Sequence, residues 1–133
     1  DFSHMFRTYD RNEIVLSGSN FTPSADASKA TAFEKSASHW VSPSADNYVY
    51  INVFDYDPSW KIEITENGKA LSYEVIKVKD PLHLAAYEAK RYNANASPSA
   101  ANTTLEIKVT DRFGNTSSES MKRPKAFSLN AYK

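Results

Sequence analysis

Alternating apolar and polar positions mark several short strands along the chain. In residues 60–65 the side chains of Ile62 and Ile64 fall on one face, with charged side chains between them. This is the two-residue period of a strand with one buried face. Residues 103–110 alternate in the same way. Residues 48–54, with the sequence YVYINVF, are apolar at nearly every position, which is typical of a central strand covered on both sides.

A tight turn is predicted directly after residues 60–65. The next four residues read ENGK, and Asn67 and Gly68 suit the two positive-φ positions of a type I′ turn. The pattern therefore predicts a hairpin in which residues 71–79 return as the partner strand. The apolar face of that strand would carry Leu71, Tyr73 and Val75.

Weaker patterns indicate the remaining elements. Residues 4–9 and 13–17 are candidate strands, and residues 116–122 are predicted to form the last paired strand before Pro124. Residues 80–93 change period and begin with Asp-Pro, which suits the start of a helix. A short helix or helical crossover is predicted there.

Two segments are predicted to be irregular connections. Residues 19–47 and 94–102 are rich in Ser, Ala, Asn and Pro and lack a sustained period. Three aromatic residues are expected to pin the longer segment to the body of the protein: Phe21, Phe33 and Trp40.

Many strands with turns between them, and little helix, predict an all-β protein. We expect one domain over residues 1–133, an antiparallel β-sandwich of the immunoglobulin or fibronectin III type with one short helical crossover. Hydrophobic residues make up 41% of the chain and aromatic residues 13%, which is enough apolar material for a packed core.

Charge and cysteine content remove several classes of function. Lys plus Arg and Asp plus Glu each number 16, so no excess of charge favours nucleic acid or an anionic membrane. The absence of cysteine excludes disulfides, thiol catalysis and cysteine metal sites. No apolar run approaches the length of a membrane span. Since the chain has no Met at its start, we expect it to be either a mature chain or, in preference, a piece of a longer polypeptide.

The stretch DYDPSW, residues 55–60, holds the acids most suggestive of chemistry. Asp55 and Asp57 could contribute to a divalent cation site, because such cations bind several oxygens. The alternative is a corner in which Asp57 starts a turn and Trp60 anchors the next strand in the core. The nearby sequence lacks further ligands and the glycine of a calcium loop, so the corner is favoured.

A second acidic turn, TDRFGN, occupies residues 110–115. Asp111 can accept backbone hydrogen bonds across it, and Gly114, followed by Asn115, can supply a left-handed residue. Phe113 is expected to fold back onto the core. A metal role for Asp111 would need partners that the sequence does not identify.

No catalytic motif is found. The three histidines lie far apart and in no metal-binding pattern, and only three glycines are present, so a phosphate-binding loop is disfavoured. The histidines are His4, His39 and His83. Four large aromatic side chains could form a platform that binds sugars or bases. The alternative is that the same side chains fill the core. The members of the platform would be Trp40, Tyr50, Tyr56 and Trp60.

The segments YVYINVFDYDPSWKIEITENGKAL, KDPLHL and LEIKVTDRFGNTSSESMKRPKAF, in this order, resemble the C-terminal domain of bacterial calcineurin-like metallophosphoesterases. The resemblance covers most of residues 48–127 and, more weakly, the opening FRTYD. It implies a parent enzyme that cleaves phosphoesters with two metal ions. The metal-binding motifs of that family, D-x-H, G-D-x-x-D and G-N-H-[DE], do not occur here. The resemblance therefore assigns no catalytic, metal or cofactor residue to this chain.

The expected role is that of a non-catalytic accessory domain in a periplasmic or extracellular bacterial enzyme. Its partner would be the phosphoesterase domain of the same polypeptide, with no nucleic acid and no membrane span. Candidates for an exposed patch that meets the partner are Tyr87, Tyr92 and Phe127. Two alternatives remain: a carbohydrate-binding module that uses the aromatic platform, and an immunoglobulin-like spacer without a ligand.

Overall fold

The computed structural model describes residues 4–15, 46–79 and 90–127. Within them the chain forms eight strands and one short 3-10 helix, Arg11–Glu13. The strands in chain order are β1 (Phe6–Asp10), β2 (Val49–Val53), β3 (Lys61–Glu66), β4 (Lys69–Ala70), β5 (Tyr73–Lys79), β6 (Lys90–Ala96), β7 (Thr104–Thr110) and β8 (Thr116–Lys122).

These strands build two antiparallel four-stranded sheets. The first, sheet A, has the order β1-β2-β6-β5, and the second, sheet B, has the order β4-β3-β7-β8. If the strands are lettered A, B, C, C′, D, E, F and G, this is the A-B-E-D and C′-C-F-G arrangement of an immunoglobulin-like sandwich. The predicted all-β antiparallel sandwich is confirmed.

The core lies between the two sheets. Sheet A contributes inward side chains such as Ile51 from β2, and sheet B contributes Ile64 from β3 and Ile107 from β7, all of them buried. The alternate aliphatic residues that predict β3 and β7 therefore form the inward face of sheet B. Tyr56, Trp60 and Leu71 pack against this core while staying partly exposed.

Strand β2 is buried at all five positions, as its continuous apolar pattern predicts. Its inward residues face the core, while Tyr50 and Asn52 lie on the outer face of sheet A and are buried there. This outer face also carries Tyr9, whose ring lies 6.3 Å from the ring of Phe127. The outer face of sheet A is therefore buried around Tyr9, Tyr50 and Asn52.

The predicted turn at residues 66–69 is confirmed, because Asn67 and Gly68 have φ values of 51° and 79°. The predicted long hairpin is wrong, however. Only Lys69–Ala70 pairs with β3, after which the Leu71 N–H donates to the carbonyl of Ile64 at 2.8 Å. The chain then crosses to sheet A, where β5 pairs with β6. On its other side β3 is paired with β7. Strand β4 is therefore the edge strand of sheet B, and it is only two residues long.

The prediction of helix and loop around β6 needs correction. Residues 90–93 belong to β6 and are not helical, and residues 94–96 also belong to it. The asparagines and alanines of β6 have low strand propensity, but β2 and β5 supply backbone partners on both sides of it. Residues 80–89, the rest of the predicted helix, lie outside the described residues.

The prediction of a strand over residues 13–17 is also wrong within the described part of the chain. Glu13 closes the 3-10 helix, whose N-cap Asp10 accepts a hydrogen bond from the Asn12 N–H. Ile14 is fully buried and Val15 is exposed, and neither belongs to a strand. The pinning residues Phe21, Phe33 and Trp40 lie outside the described residues. The other two predicted strands, at residues 4–9 and 116–122, are confirmed as β1 and β8.

Candidate functional site

The loop between β2 and β3 turns the chain from sheet A to sheet B. Asp55 adopts a left-handed φ of 53°. One carboxylate oxygen of Asp57 accepts a hydrogen bond from the Ser59 N–H at 2.9 Å, and the Asp57 carbonyl accepts one from the Trp60 N–H at 2.9 Å. The hydrogen bond from Ser59 holds the pKa of Asp57 below its ordinary value. The prediction that Asp57 starts a turn is confirmed.

The loop between β7 and β8 is organised by Asp111. Its carboxylate accepts hydrogen bonds from the Asn115 side chain at 2.9 Å, from the Asn115 N–H at 2.9 Å and from the Phe113 N–H at 2.8 Å. The hydrogen bond from the Asn115 side chain, followed by those from the backbone N–H groups, lowers the pKa of Asp111. Gly114 supplies the left-handed residue, with φ of 85°. The predicted backbone role of Asp111 is confirmed.

Phe113 does not fold back onto the core, so that prediction is wrong. Its side chain is 74% exposed, and the guanidinium carbon of Arg112 lies 4.7 Å from the centre of its ring. The three hydrogen bonds to Asp111 fix the backbone on either side of Phe113, so the ring stands at the tip of a pre-organised loop. Among the described residues, no other large apolar side chain has as much exposure.

Both loops lie at the end of the sandwich where the chain runs into β1, and we call this the proximal end. Phe6 at the start of β1 is paired with Val53, the residue that precedes the first loop. The Met5 N–H donates to the Ser117 hydroxyl, just beyond the second loop, at 3.3 Å. The positive charge of Arg112 also contributes to lowering the pKa of Asp57, so the two loops are close enough to interact.

The proposed aromatic platform is not assembled by its described members. Tyr50 is buried on the outer face of sheet A, and burial raises the pKa of its hydroxyl. Tyr56 and Trp60 pack against the core between the sheets. Tyr56 and Trp60 therefore follow the alternative interpretation, that large aromatic residues pack on the core, whereas Tyr50 is buried on the opposite face of sheet A. Trp40 lies outside the described residues.

Three of the other candidate residues lie in the described part of the chain. Phe127 packs beside Tyr9 and is half-buried, and Tyr92 is part of β6. His4 is exposed at the proximal end. Among the patch candidates Tyr87, and among the histidines His39 and His83, lie outside the described residues.

A buried ion pair at the opposite, distal end is a feature that the sequence analysis does not predict. The guanidinium of Arg123 donates to the carboxylate of Asp10 from Nη2 at 3.0 Å and from Nε at 3.2 Å. Both side chains are completely buried. Asp10 also accepts from the Lys125 N–H, and Arg123 donates to the carbonyl of Ala100 at 3.0 Å. The pair joins β1, the segment after β8 and the loop after β6.

Polar groups also connect the edges of the two sheets, β1 and β8. The Thr8 hydroxyl donates to the carboxylate of Glu119. The ammonium of Lys125 donates to the Thr8 hydroxyl at 2.6 Å and to the Thr8 carbonyl at 3.1 Å. These bonds close this side of the sandwich.

Glu66, at the end of β3, is the second buried acid of the distal end, with 7% of its surface exposed. It accepts hydrogen bonds from the Ser99 N–H at 3.1 Å, the Ser99 hydroxyl at 2.9 Å and the Thr103 hydroxyl at 3.0 Å. Burial alone would raise the pKa of Glu66, but these hydrogen bonds outweigh it and the pKa is lowered. Glu66 therefore ties sheet B to the loop after β6.

No group of three or more His, Asp or Glu side chains is placed so that it could hold a metal ion within residues 4–15, 46–79 and 90–127. In the same ranges, no helix has the length and apolar character needed to cross a membrane. Comparisons of the chain with protein-family models, curated proteins and solved structures found no match.

Proposed function

We propose that the chain is a non-catalytic accessory domain of a bacterial metallophosphoesterase, and that its proximal end packs against the catalytic domain of the same polypeptide. The observation that carries the proposal is the exposed ring of Phe113 on its pre-organised loop at that end. The resemblance of residues 48–127 to the C-terminal domains of these enzymes supports the choice of partner.

Topology supports the choice of surface. In an antiparallel sandwich the loops gather at two opposite ends, and a domain that precedes β1 connects to the end where β1 begins. The proximal loops contain DYDPSW and TDRFG, two of the pieces that carry the resemblance. Two of the segments that carry the resemblance would therefore lie beside the point where a preceding domain attaches.

The energetics of the loop also favour a contact role. Full burial of a Phe side chain contributes about 1.5–3 kcal/mol. Because the hydrogen bonds to Asp111 already order the loop, docking of Phe113 costs little further conformational entropy. Interfaces between domains of one chain bury about 600–1,500 Å². Phe113 would be the central anchor of such an interface, with Arg112 and the loop 54–60 around it.

The accessory role predicts that the isolated chain does not cleave phosphoesters. A two-metal phosphoesterase site needs a dense set of carboxylates and histidines, and the family's metal-binding motifs are absent from the sequence. The test is to incubate the purified chain with para-nitrophenyl phosphate and bis-para-nitrophenyl phosphate in the presence of Mn²⁺ or Zn²⁺. Release of para-nitrophenol above the protein-free rate would overturn the non-catalytic assignment.

The packing surface is tested by a matched pair of substitutions. The open reading frame upstream of Asp1 is expected to encode the metal-binding motifs, and its product is produced separately from residues 1–133. Phe113→Ser should weaken the association of the two pieces at least about tenfold, measured by calorimetry, because the central anchor is lost. Val75→Ser is the control, since Val75 is exposed on β5 and lies outside the proximal loops.

Three outcomes would contradict the proposal. An upstream reading frame without the phosphoesterase motifs would remove the partner. Equal affinities for wild type and Phe113→Ser, in the presence of measurable association, would remove the surface. No association at all, for the wild type as well, would favour the alternative of a spacer without a ligand.

A further inference from the structure

A groove of about 290 Å³ opens at the distal end of the sandwich, on the side of β5. It lies where the chain passes from β4 to β5, beside the start of β2 and the end of β6. Two tyrosines and a leucine supply its apolar part: Tyr48, Tyr73 and Leu71. Tyr48 is 36% exposed and Tyr73 38% exposed, so both aromatic side chains remain accessible.

Neighbouring backbone contacts hold the groove in place. The Tyr48 carbonyl accepts a hydrogen bond from the Arg11 N–H at 3.0 Å. Tyr73 is paired with Ala96 across the β5–β6 ladder. Burial raises the pKa of Tyr73, and the nearby Tyr56 hydroxyl adds a smaller increase. The Tyr73 hydroxyl is therefore neutral at physiological pH and can donate a hydrogen bond.

The polar part of the lining consists of Glu74, Asn95, Ser72 and Ser97. The Ser97 hydroxyl donates to the carbonyl of Asp46 at 3.0 Å, which leaves its oxygen able to accept from a ligand. The Oδ1 atom of Asn95 is buried and has no hydrogen-bond partner within the described residues. The carboxylate of Glu74 and the serine hydroxyls in the lining favour a ligand that brings hydroxyl donors and acceptors.

We infer that this groove binds one sugar ring of a neutral saccharide. Tyrosine faces suit the C–H faces of a pyranose, while the carboxylate, amide and hydroxyls match its hydroxyl groups. None of the seven lining residues in the described part of the chain is cationic, and Glu74 repels anions, so phosphorylated or acidic ligands are disfavoured. The groove lies at the opposite end from Phe113, the anchor of the proposed function, and the inference does not rest on that function.

The volume sets the size of the ligand. Small-molecule sites usually occupy about 300–1,000 Å³, so a groove of about 290 Å³ holds a single ring and lets the rest of an oligosaccharide extend into solvent. One-ring sites with few charged contacts bind weakly, with dissociation constants on the order of 1 mM. The experiment must therefore detect weak binding.

The test is a ¹⁵N chemical-shift titration of the complete 133-residue chain. The probes are neutral gluco-, manno-, galacto- and N-acetylglucosamine trisaccharides at up to about ten times the expected millimolar dissociation constant. We expect at least one trisaccharide to shift the amide signals of Ser72, Glu74, Asn95 and Ser97 in a saturable manner. The amide signals of Arg112 and Phe113, at the proximal end, should not move.

Substitutions then assign the binding to the groove. Tyr73→Ala should weaken binding at least about tenfold, and Glu74→Gln should weaken it without changing the remainder of the spectrum. Val75→Ala is the control, because Val75 is an exposed neighbour on the same strand that does not line the groove. Its affinity should equal that of the wild type.

Three outcomes would overturn the inference: no saturable shift with any of the four trisaccharides, shifts confined to residues away from the groove, or full affinity in Tyr73→Ala. Tetramethylammonium serves as a competing probe, because two tyrosines and a glutamate can also surround a cation. Binding of tetramethylammonium to the groove without binding of the saccharides would replace the inference by a cation site.

Discussion

Replacing Arg123 by methionine removes the positive half of the buried ion pair that joins β1 to the segment after β8. The side chains of Asp10 and Arg123 are both completely buried, so the substitution leaves a carboxylate without its counter-charge in a dry site. Asp10 would keep only the N–H groups of Asn12 and Lys125, at 3.1 and 3.2 Å. The carbonyl of Ala100 would lose its hydrogen bond from Arg123 as well.

Breaking a buried pair in this way costs about 3–5 kcal/mol of the free energy of unfolding. With a urea m value of about 2 kcal/mol/M, this lowers the unfolding midpoint by about 1.5–2.5 M. The measurement is urea unfolding at pH 7, followed by tryptophan fluorescence. Domains of this size have about 5–15 kcal/mol of stability, so the loss in Arg123→Met could unfold the chain. The milder variant Arg123→Lys is therefore made in parallel. It keeps the charge but loses the fork of donors, and should cost less.

The double variant Asp10→Leu/Arg123→Met separates the charge from the packing. It leaves no unpaired charge, so it should be more stable than Arg123→Met alone. Lys61→Met is the control for an exposed pair, because Lys61 and Glu63 lie 3.4 Å apart with 71% and 43% of their side chains exposed, and it should change stability by about 0–1 kcal/mol. Loss of less than about 1 kcal/mol in Arg123→Met, or a double variant less stable than the single one, would refute the reasoning.

Two further predictions concern Glu66 and Gly68. Glu66→Gln should cost about 1–3 kcal/mol at pH 7, because an amide cannot accept all the hydrogen bonds from Ser99 and Thr103. The folded pKa of Glu66 is lowered from 4.5, so this difference from wild type should be complete above pH 4.5 and shrink as the pH falls through the folded value. A difference that is the same at pH 7 and pH 3 in urea titrations would contradict it. Gly68→Ala should lower stability by about 1–2 kcal/mol through backbone strain alone, since φ is 79° and no atom lies within 4 Å of the added methyl. An unchanged midpoint of thermal unfolding would contradict this second prediction.

The parts of the fold that follow from sequence are those in which local pattern and tertiary position agree. In β3 and β7 alternate aliphatic residues meet the opposite sheet, so a two-residue period is visible in the sequence. In β2 both faces are covered, so the apolar run is continuous. The turn after β3 is equally local, because Asn67 and Gly68 tolerate the positive φ values that the hairpin requires.

Strand β6 shows why other parts do not follow from sequence. Its last residues are Asn93, Ala94, Asn95 and Ala96, which carry neither β-branched nor large apolar side chains. They are in a strand because β2 and β5 satisfy their backbone on both sides, and of these two partners β2 lies far away in the chain. The change of sheet after Ala70 has the same cause, since the sequence contains no local sign that β5 pairs with β6 instead of β3.

The polar features of the candidate sites depend on long-range contacts even more strongly. Asp10 and Arg123 are separated by 113 positions, and neither lies in a motif that names its partner. The turn roles of Asp57 and Asp111 could be predicted, because each carboxylate binds backbone groups within four residues of itself. The exposure of Phe113 could not, because the same turn sequence allows the ring to point either way.

The two ends of the sandwich are held by different kinds of contact, and this difference bears on what each end can do. At the proximal end, aspartates bind the backbone of their own loops, so local hydrogen bonds help to order each loop. At the distal end, Glu66 of sheet B holds Ser99, two residues after Ser97 in the wall of the groove. The shape of the groove therefore depends on how the two sheets are packed, whereas the position of Phe113 depends on its own turn. A change in sheet packing should consequently alter ligand binding at the distal end while the proximal loops keep their conformation.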